Sequence, residues 1–201
     1  MIPKIIIFIG LPGSGKGTQA KKLIAEFHYG HISTGDLLRA LDTDPDGNLH
    51  DKEALQTMKS GGMVSNELIY KLAFSEMEKC FSEDRGVVLD GAIRNIDQAK
   101  YYQQFFVEKG LESSLRVFDV RIPDDVVFNR IMARIENDKA RGKALRADDT
   151  PEKIKKRILE QGHELMPPIL SYYKDMGVLV DIDGTDTIDG VEKQIRDSLE
   201  I

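Results

Sequence analysis

Apolar residues in this chain gather in short blocks that end abruptly at glycine or aspartate. Lys4 to Ile9 is β-branched and apolar with no polar alternation, which predicts a parallel strand covered on both faces. Gly10 to Gly17 follows as a loop. The spacing then changes, and Ala20, Leu23, Ile24 and Phe27 fall on one face of a helix predicted from Thr18 to Phe27. The same alternation recurs. Val87 to Leu89 stops at Asp90, Leu115 to Val120 stops before Pro123, and Val178 to Ile182 stops at Asp183-Gly184. Helical spacing covers Ser65 to Phe81, Asn95 to Lys109, Asp124 to Ile135 and Pro151 to Leu165. Strand alternating with helix predicts an α/β fold, an open parallel sheet with helices on both faces. In such sheets ligands bind beyond the carboxyl ends of the strands, where Gly10, Asp90 and Asp183 stand.

Two stretches break the alternation. Thr34 to Val64 is helical and polar, with a turn at Asp44-Pro45-Asp46-Gly47. Glu136 to Asp149 is short, charged and weakly apolar. Both are expected as inserts lying over the sheet's functional edge. The 201 residues read as a single domain with a helical insert over 34–64, a short lid over 134–149, and a core made of the rest.

Composition narrows the classes. Hydrophobic residues at 41% and charged residues at 31% suit a soluble globular chain with a real core. A net charge of -6, with a sequence pI of about 5.3, argues against coating nucleic acid. Cys80 is the sole cysteine, which excludes an internal disulfide and a cysteine zinc site, and it is expected as a small apolar side chain on a helix. The Ile5–Ile9 run is too short for a secretion signal, and no window reaches the roughly 18 apolar residues of a membrane span. The expectation is a cytoplasmic protein with no membrane partner.

The strongest chemical signal is Gly10-Leu11-Pro12-Gly13-Ser14-Gly15-Lys16-Gly17-Thr18. A GxxxxGK loop between an apolar strand and a helix is a P-loop. Its glycines let backbone N–H groups approach phosphate oxygens, the helix adds its positive end, and the lysine adds a mobile cation. Gly13, Ser14, Gly15, Lys16, Gly17 and Thr18 are therefore candidate ATP contacts. Gly17 stands where most P-loop proteins carry a serine or threonine for magnesium, and Thr18 comes one place later.

That shifted form, GxPGxGKGT, is the one seen in nucleoside monophosphate kinases. The chain resembles the adenylate kinase family, in its short-lid form, along nearly its whole length. Ile32-Ser33-Thr34-Gly35-Asp36-Leu37-Leu38-Arg39 is similar to the family's STGDLLR block. The resemblance implies that Thr34 meets the acceptor base and that Arg39 grips the acceptor phosphate. By residue type alone, Ser33 or Thr34 equally suits a helix cap. Gly62, Met63 and Val64 look like the family segment whose backbone and apolar side chains hold the AMP adenine and ribose. Without that resemblance they read as a turn into a helix.

Asp90-Gly91-Ala92-Ile93-Arg94, with Gln98 four residues on, is similar to the family's DGFPR and its following glutamine. The resemblance implies AMP contacts at Gly91, Ala92, Ile93, Arg94 and Gln98, and a magnesium ion held by Asp90 through water. Ala92-Ile93 departs from Phe-Pro, so an aromatic wall against the base is expected to be missing. Arg130, Arg134, Arg146 and Arg157 follow the family's lid order, with Arg146-Ala147-Asp148-Asp149 matching its RxDD. Arg130 is implied against the ATP adenine and Arg134 at the ATP phosphates. Arg146 and Arg157 are implied where the two phosphate chains meet. Asp186 follows the last strand, at the family's backbone contact to the ATP adenine; a plain turn fits it too. Long-lid relatives often carry four zinc-binding cysteines, and this chain carries no such set, so no zinc is expected.

The implied activity is transfer of the terminal phosphoryl group of ATP to AMP, with magnesium as the ATP counter-ion, by a monomer that supplies adenine nucleotide balance. Lys16, Arg39, Arg94, Arg134, Arg146 and Arg157 would neutralise the phosphates, and no general base is needed because the attacking oxygen is already ionised. Two rivals stand beside it. One is a UMP/CMP kinase of the same fold, where the Thr34 position is usually alanine. The other is a nucleotide-binding regulator without activity. A GTPase switch would need an NKxD-like guanine motif, which the sequence lacks. None of the four histidines has a metal partner at suitable spacing, so none receives a role.

Overall fold

The computed structural model describes residues 2–45, 48, 52, 66–142 and 150–201. In chain order the elements are β1 (Ile5–Ile9), α1 (Lys16–Phe27), β2 (Gly30–Ser33), α2 (Thr34–Thr43), α3 (Asn66–Ser82), β3 (Val87–Asp90) and α4 (Ile96–Glu108). There follow β4 (Leu115–Arg121), α5 (Asp124–Ala140), α6 (Pro151–Arg157), a π-helical segment (Ile158–Leu165), α7 (Met166–Asp175), β5 (Leu179–Asp183) and α8 (Ile188–Leu199).

The five strands form one sheet in the order β2-β3-β1-β4-β5, and every pairing is parallel. Strand β1 is central, and the absence of alternation in its sequence has a direct cause. Ile5, Ile7 and Ile9 pack with Met77 and Cys80 of α3, Tyr102 and Phe106 of α4, and Tyr173 of α7. Ile6 and Phe8 pack on the opposite face with Ala20 and Leu23 of α1 and Ile195 and Leu199 of α8. Helices thus cover both faces, as predicted, and each buried β1 side chain contributes about 2 kcal/mol of transfer free energy. Cys80 is buried against Gly30, and that burial pushes its thiol pKa up.

Register carries the chemistry to one edge. Ser33 pairs with Asp90, Phe8 pairs with Asp90, and Ile9 pairs with Asp119, which pairs in turn with Asp181. The phosphate loop leaves β1 at that edge.

Several elements differ from the pattern. Helix α1 begins at Lys16, two residues before Thr18. Helix α5 runs on to Ala140, so 136–140 is helix and not loop. Those residues are polar except for Ala140 and contain no breaker, and the helix stops only at Arg141 and Gly142, the latter with a φ of 66°. Helix Pro151–Leu165 changes to π-helical geometry at Ile158. Helices α7 and α8 go beyond the predicted elements. Pro167 and Pro168 sit in the first turn of α7, where a missing N–H costs nothing. Gly62, Met63, Val64, Arg146, Asp148 and Asp149 lie outside the described residues, as do the side chains of Arg39 and Arg157.

Candidate active site

The phosphate loop is tied to its own lysine. Lys16 Nζ donates to the Gly10 carbonyl at 2.7 Å and the Leu11 carbonyl at 2.8 Å, and reaches Ser14 Oγ at 3.4 Å. The ammonium therefore lies over the loop. Helix α1 has Gly15 as its N-cap, with φ 101° and no side chain to cap the first turn. Its positive end is left to an anion. Leu11 anchors the loop from the other side, in an apolar cluster with Val127, Ile131 and Ile135 of α5 and Ile154 of α6. The backbone of the π-helical segment comes so close that a Cβ on Gly162 would stand 2.7 Å from Leu11 Cδ2.

Asp90 ends β3 beside this loop. A Cβ on Gly17 would lie 3.1 Å from Asp90 Oδ2, closer than side chains ordinarily pack. A serine at 17, as in most P-loops, would press on that carboxylate. The glycine gives it room.

A second carboxylate lies beneath the loop. Asp119 of β4 is only 2% exposed, and Arg121 Nε donates to its Oδ2 at 2.6 Å. The same guanidinium reaches Asp181 Oδ1 at 2.5 Å. Burial pushes the Asp119 carboxyl up, and the Arg121 hydrogen bond pulls it back. Asp119, Gly10, Leu11, Gly162 and Met166 line a cavity of about 210 Å³. A larger cavity of about 450 Å³ is lined by Asp124, Phe128, Lys155, Ile158 and His163 and brings no part of the phosphate loop. There His163 Nε2 meets Asp124 Oδ2 at 2.7 Å, a surface contact.

Across Asp90 sits a separate polar cluster. Thr34, buried at the start of α2, points Oγ1 at the Gly91 carbonyl at 3.4 Å. The helix cap is Ser33, which makes no side-chain capping bond, so the capping alternative is not realised. Arg94 Nε donates to the same Gly91 carbonyl at 3.1 Å. Gln98 Oε1 accepts from the Arg94 backbone N–H at 2.8 Å, and Gln98 Nε2 donates to Asn66 Oδ1 at 2.9 Å. Asn95 caps α4 by accepting from the Gln98 N–H at 2.8 Å. Ala92 and Ile93 are buried in the core cluster with Ile32, Leu89 and Ala99.

Arg130 and Arg134 stand on α5. Arg130 donates to the Gly184 carbonyl at 2.9 Å, which joins α5 to the loop after β5. Arg134 follows one turn later, half-buried. Asp186, exposed in that loop, accepts from the Thr187 N–H at 2.7 Å, just before α8. Gln19 of α1 donates to the Ile188 carbonyl at 2.9 Å, locking the loop helix to α8.

The structure thus gathers Lys16, Asp90, Thr34, Arg94 and Gln98 at one sheet edge, and brings Arg130 to the 184–186 loop. Motif reading missed two members. Asp119 had a visible signal, a charge interrupting an apolar buried strand with Arg121 two residues on. Asn66 had none, because its partner is 32 positions away.

A parallel α/β sheet and a lysine-bearing glycine loop at its central strand define a P-loop protein, with a second polar cluster beside the loop. Comparison with known proteins gives the finer placement. The family model for adenylate kinase matches residues 8–178. The adenylate kinase of Methylobacterium radiotolerans is 36% identical over 195 residues, covering 97% of this chain and 95% of that protein. Those of Agrobacterium fabrum and Phocaeicola vulgatus are each 34% identical over 195 residues, covering 97% of both chains. The chain belongs to the adenylate kinase family.

Proposed function

We infer that the chain transfers the terminal phosphoryl group of ATP reversibly to AMP, giving two ADP. What carries this reading is a lysine-bearing phosphate loop set beside the Thr34–Gly91–Arg94–Gln98 cluster, in a chain of the adenylate kinase family. It is an enzyme, a phosphotransferase whose substrates are ATP and AMP. The alternative of a UMP/CMP kinase is not favoured, since the relatives above are named adenylate kinase.

In this proposal Gly13 to Thr18 cradle the ATP phosphates, Arg130 and Asp186 border its adenine, and Arg134 reaches its phosphates. Thr34 and Gln98 meet the AMP base, with Gly62, Met63 and Val64 and the 91–93 backbone beside it. Arg39, Arg94, Arg146 and Arg157 neutralise the acceptor phosphate and the transferring group. An oxygen of the AMP phosphate attacks the γ-phosphorus, the bond from that phosphorus to the β–γ bridging oxygen breaks, and ADP leaves with the electron pair. The transition state is loose, so positioning and charge neutralisation supply the rate.

Magnesium belongs to the same proposal. Asp90 offers a hard carboxylate oxygen beside the open face of Gly17, a donor set suited to a magnesium ion that arrives with ATP and keeps its waters. Bound there, the ion would neutralise phosphate charge. The division into core, 34–64 insert and 134–149 lid, the monomeric state, the cytoplasmic location and the role in adenine nucleotide balance are likewise proposed. Supporting them are the polar character of both inserts and the net charge of -6, which disfavours nucleic acid. Among the described residues no helix is long and apolar enough to cross a membrane.

A coupled assay of ADP production with AMP, CMP, UMP and GMP as acceptors tests the reading. AMP should be the best of the four, and AMP as the poorest acceptor would overturn it.

A further inference from the structure

The amide of Gln98 has its orientation dictated by its neighbours. The Arg94 backbone N–H faces one end of it at 2.8 Å, and an N–H must meet an oxygen, so that end is Oε1. The other end is then Nε2, which lies 2.9 Å from Asn66 Oδ1 and donates to it. Turning the amide over would set nitrogen against the Arg94 N–H, and its oxygen would meet a donor only if the Asn66 amide turned over as well. Gln98 is buried, so little water is at hand to repair that mismatch. The root of the side chain is fixed too, because the Gln98 N–H is held by the Asn95 cap.

After these bonds the amide keeps one hydrogen on Nε2 and one lone pair on Oε1. Their order matters to a purine. Adenine presents N6–H as donor and N1 as acceptor. Hypoxanthine presents O6 as acceptor and N1–H as donor, the same shape in reverse order. A glutamine free to turn over would suit either base, while a held one suits a single order.

We propose that Asn66 is a specificity-determining positioning residue: by accepting from Gln98 Nε2 it fixes the donor–acceptor order of the amide, so that the site takes 6-amino purine monophosphates and rejects 6-oxo ones. Asn66 is the first residue of α3, exposed, and brings one acceptor to the buried amide from a separate element. The proposal rests on the reading that Gln98 meets the acceptor base.

The test compares kcat/KM for AMP and for inosine monophosphate in the full chain. Asn66→Leu keeps the side-chain shape and removes the acceptor, and should lower the AMP to IMP ratio about tenfold. Asn66→Asp, an acceptor at both oxygens, should keep the ratio. A melt checks folding, and Asn66→Ala replaces the leucine variant should that fail to fold. An unchanged ratio in the acceptor-free variant, or equal losses for both acceptors, overturns the proposal. Gln98→Leu separates the two levels. If it leaves the ratio unchanged, Gln98 does not read the base. If it shifts the ratio while Asn66→Leu does not, only the role of Asn66 falls.

Discussion

Asp90 Oδ2 stands 3.1 Å from where a Cβ on Gly17 would be, which ties the glycine after the P-loop lysine to the carboxylate at the end of the neighbouring strand. Gly17→Ser would supply the hydroxyl that other P-loops carry, yet force the carboxylate to give by a few tenths of an ångström. We expect kcat to fall about tenfold with little change in melting temperature. Steady-state kinetics over a magnesium series, paired with a thermal melt, checks this.

Lys16→Met removes the ammonium that bonds the Gly10 and Leu11 carbonyls. Turnover should fall by about 10³-fold or more, because a preorganised cation at the transferring group is lost. The apolar contacts of Leu11 remain, so circular dichroism and the melt should stay close to those of the parent chain.

Thr34→Ala breaks a long bond, 3.4 Å to the Gly91 carbonyl, so its stability cost should stay under about 1 kcal/mol. The effect should appear in acceptor choice. KM for AMP should rise while CMP and UMP are affected less, measured by the same coupled assay.

Arg130→Ala cuts the link from α5 to the Gly184 carbonyl. KM for ATP should rise about tenfold, with KM for AMP nearly constant. A rise in both together would detach Arg130 from the donor side.

Alkali should unfold the chain through its buried phenols. Burial raises the Tyr29 pKa to about 12, and pushes Tyr102 and Tyr173 higher still. A phenol with a raised folded pKa binds its proton more tightly when native. Stability is whole below the unfolded value of 10.0 and drains as pH climbs from there through the folded value. The phenols' contribution to the melting temperature should be constant below that value and fall beyond it. A near-ultraviolet titration should show these phenolates appearing together with unfolding.

Much of this was legible from residue order. Strand β1 and the loop after it followed from an unbroken apolar run ending in glycines, and the sheet faces followed from the same run. Helix α5 outran its prediction because apolar periodicity marks only the buried part of a helix. Ile131 and Ile135 face the core, while Glu136 to Ala140 continue on backbone bonds alone until Gly142. The π-helical segment that begins at Ile158 had no local signal; within it Gly162 passes close over Leu11, a contact far apart in sequence. For the site, motif spacing pointed to Lys16, Asp90, Thr34, Arg94 and Gln98. Asn66 emerges only when α3 meets α4, a contact that local order does not encode, whereas Asp119 could be read as a charge set in an apolar strand.

The central place of β1 has a practical consequence. Thr34, Asn66, Arg94 and Gln98 hang from the β2 and β3 side of it, while Arg130 and the 184–186 loop hang from the β4 and β5 side. A library randomised at the first four positions would sample new acceptors without editing the half proposed for ATP. The chain is thus a compact starting point for engineering kinases that charge unnatural nucleotides.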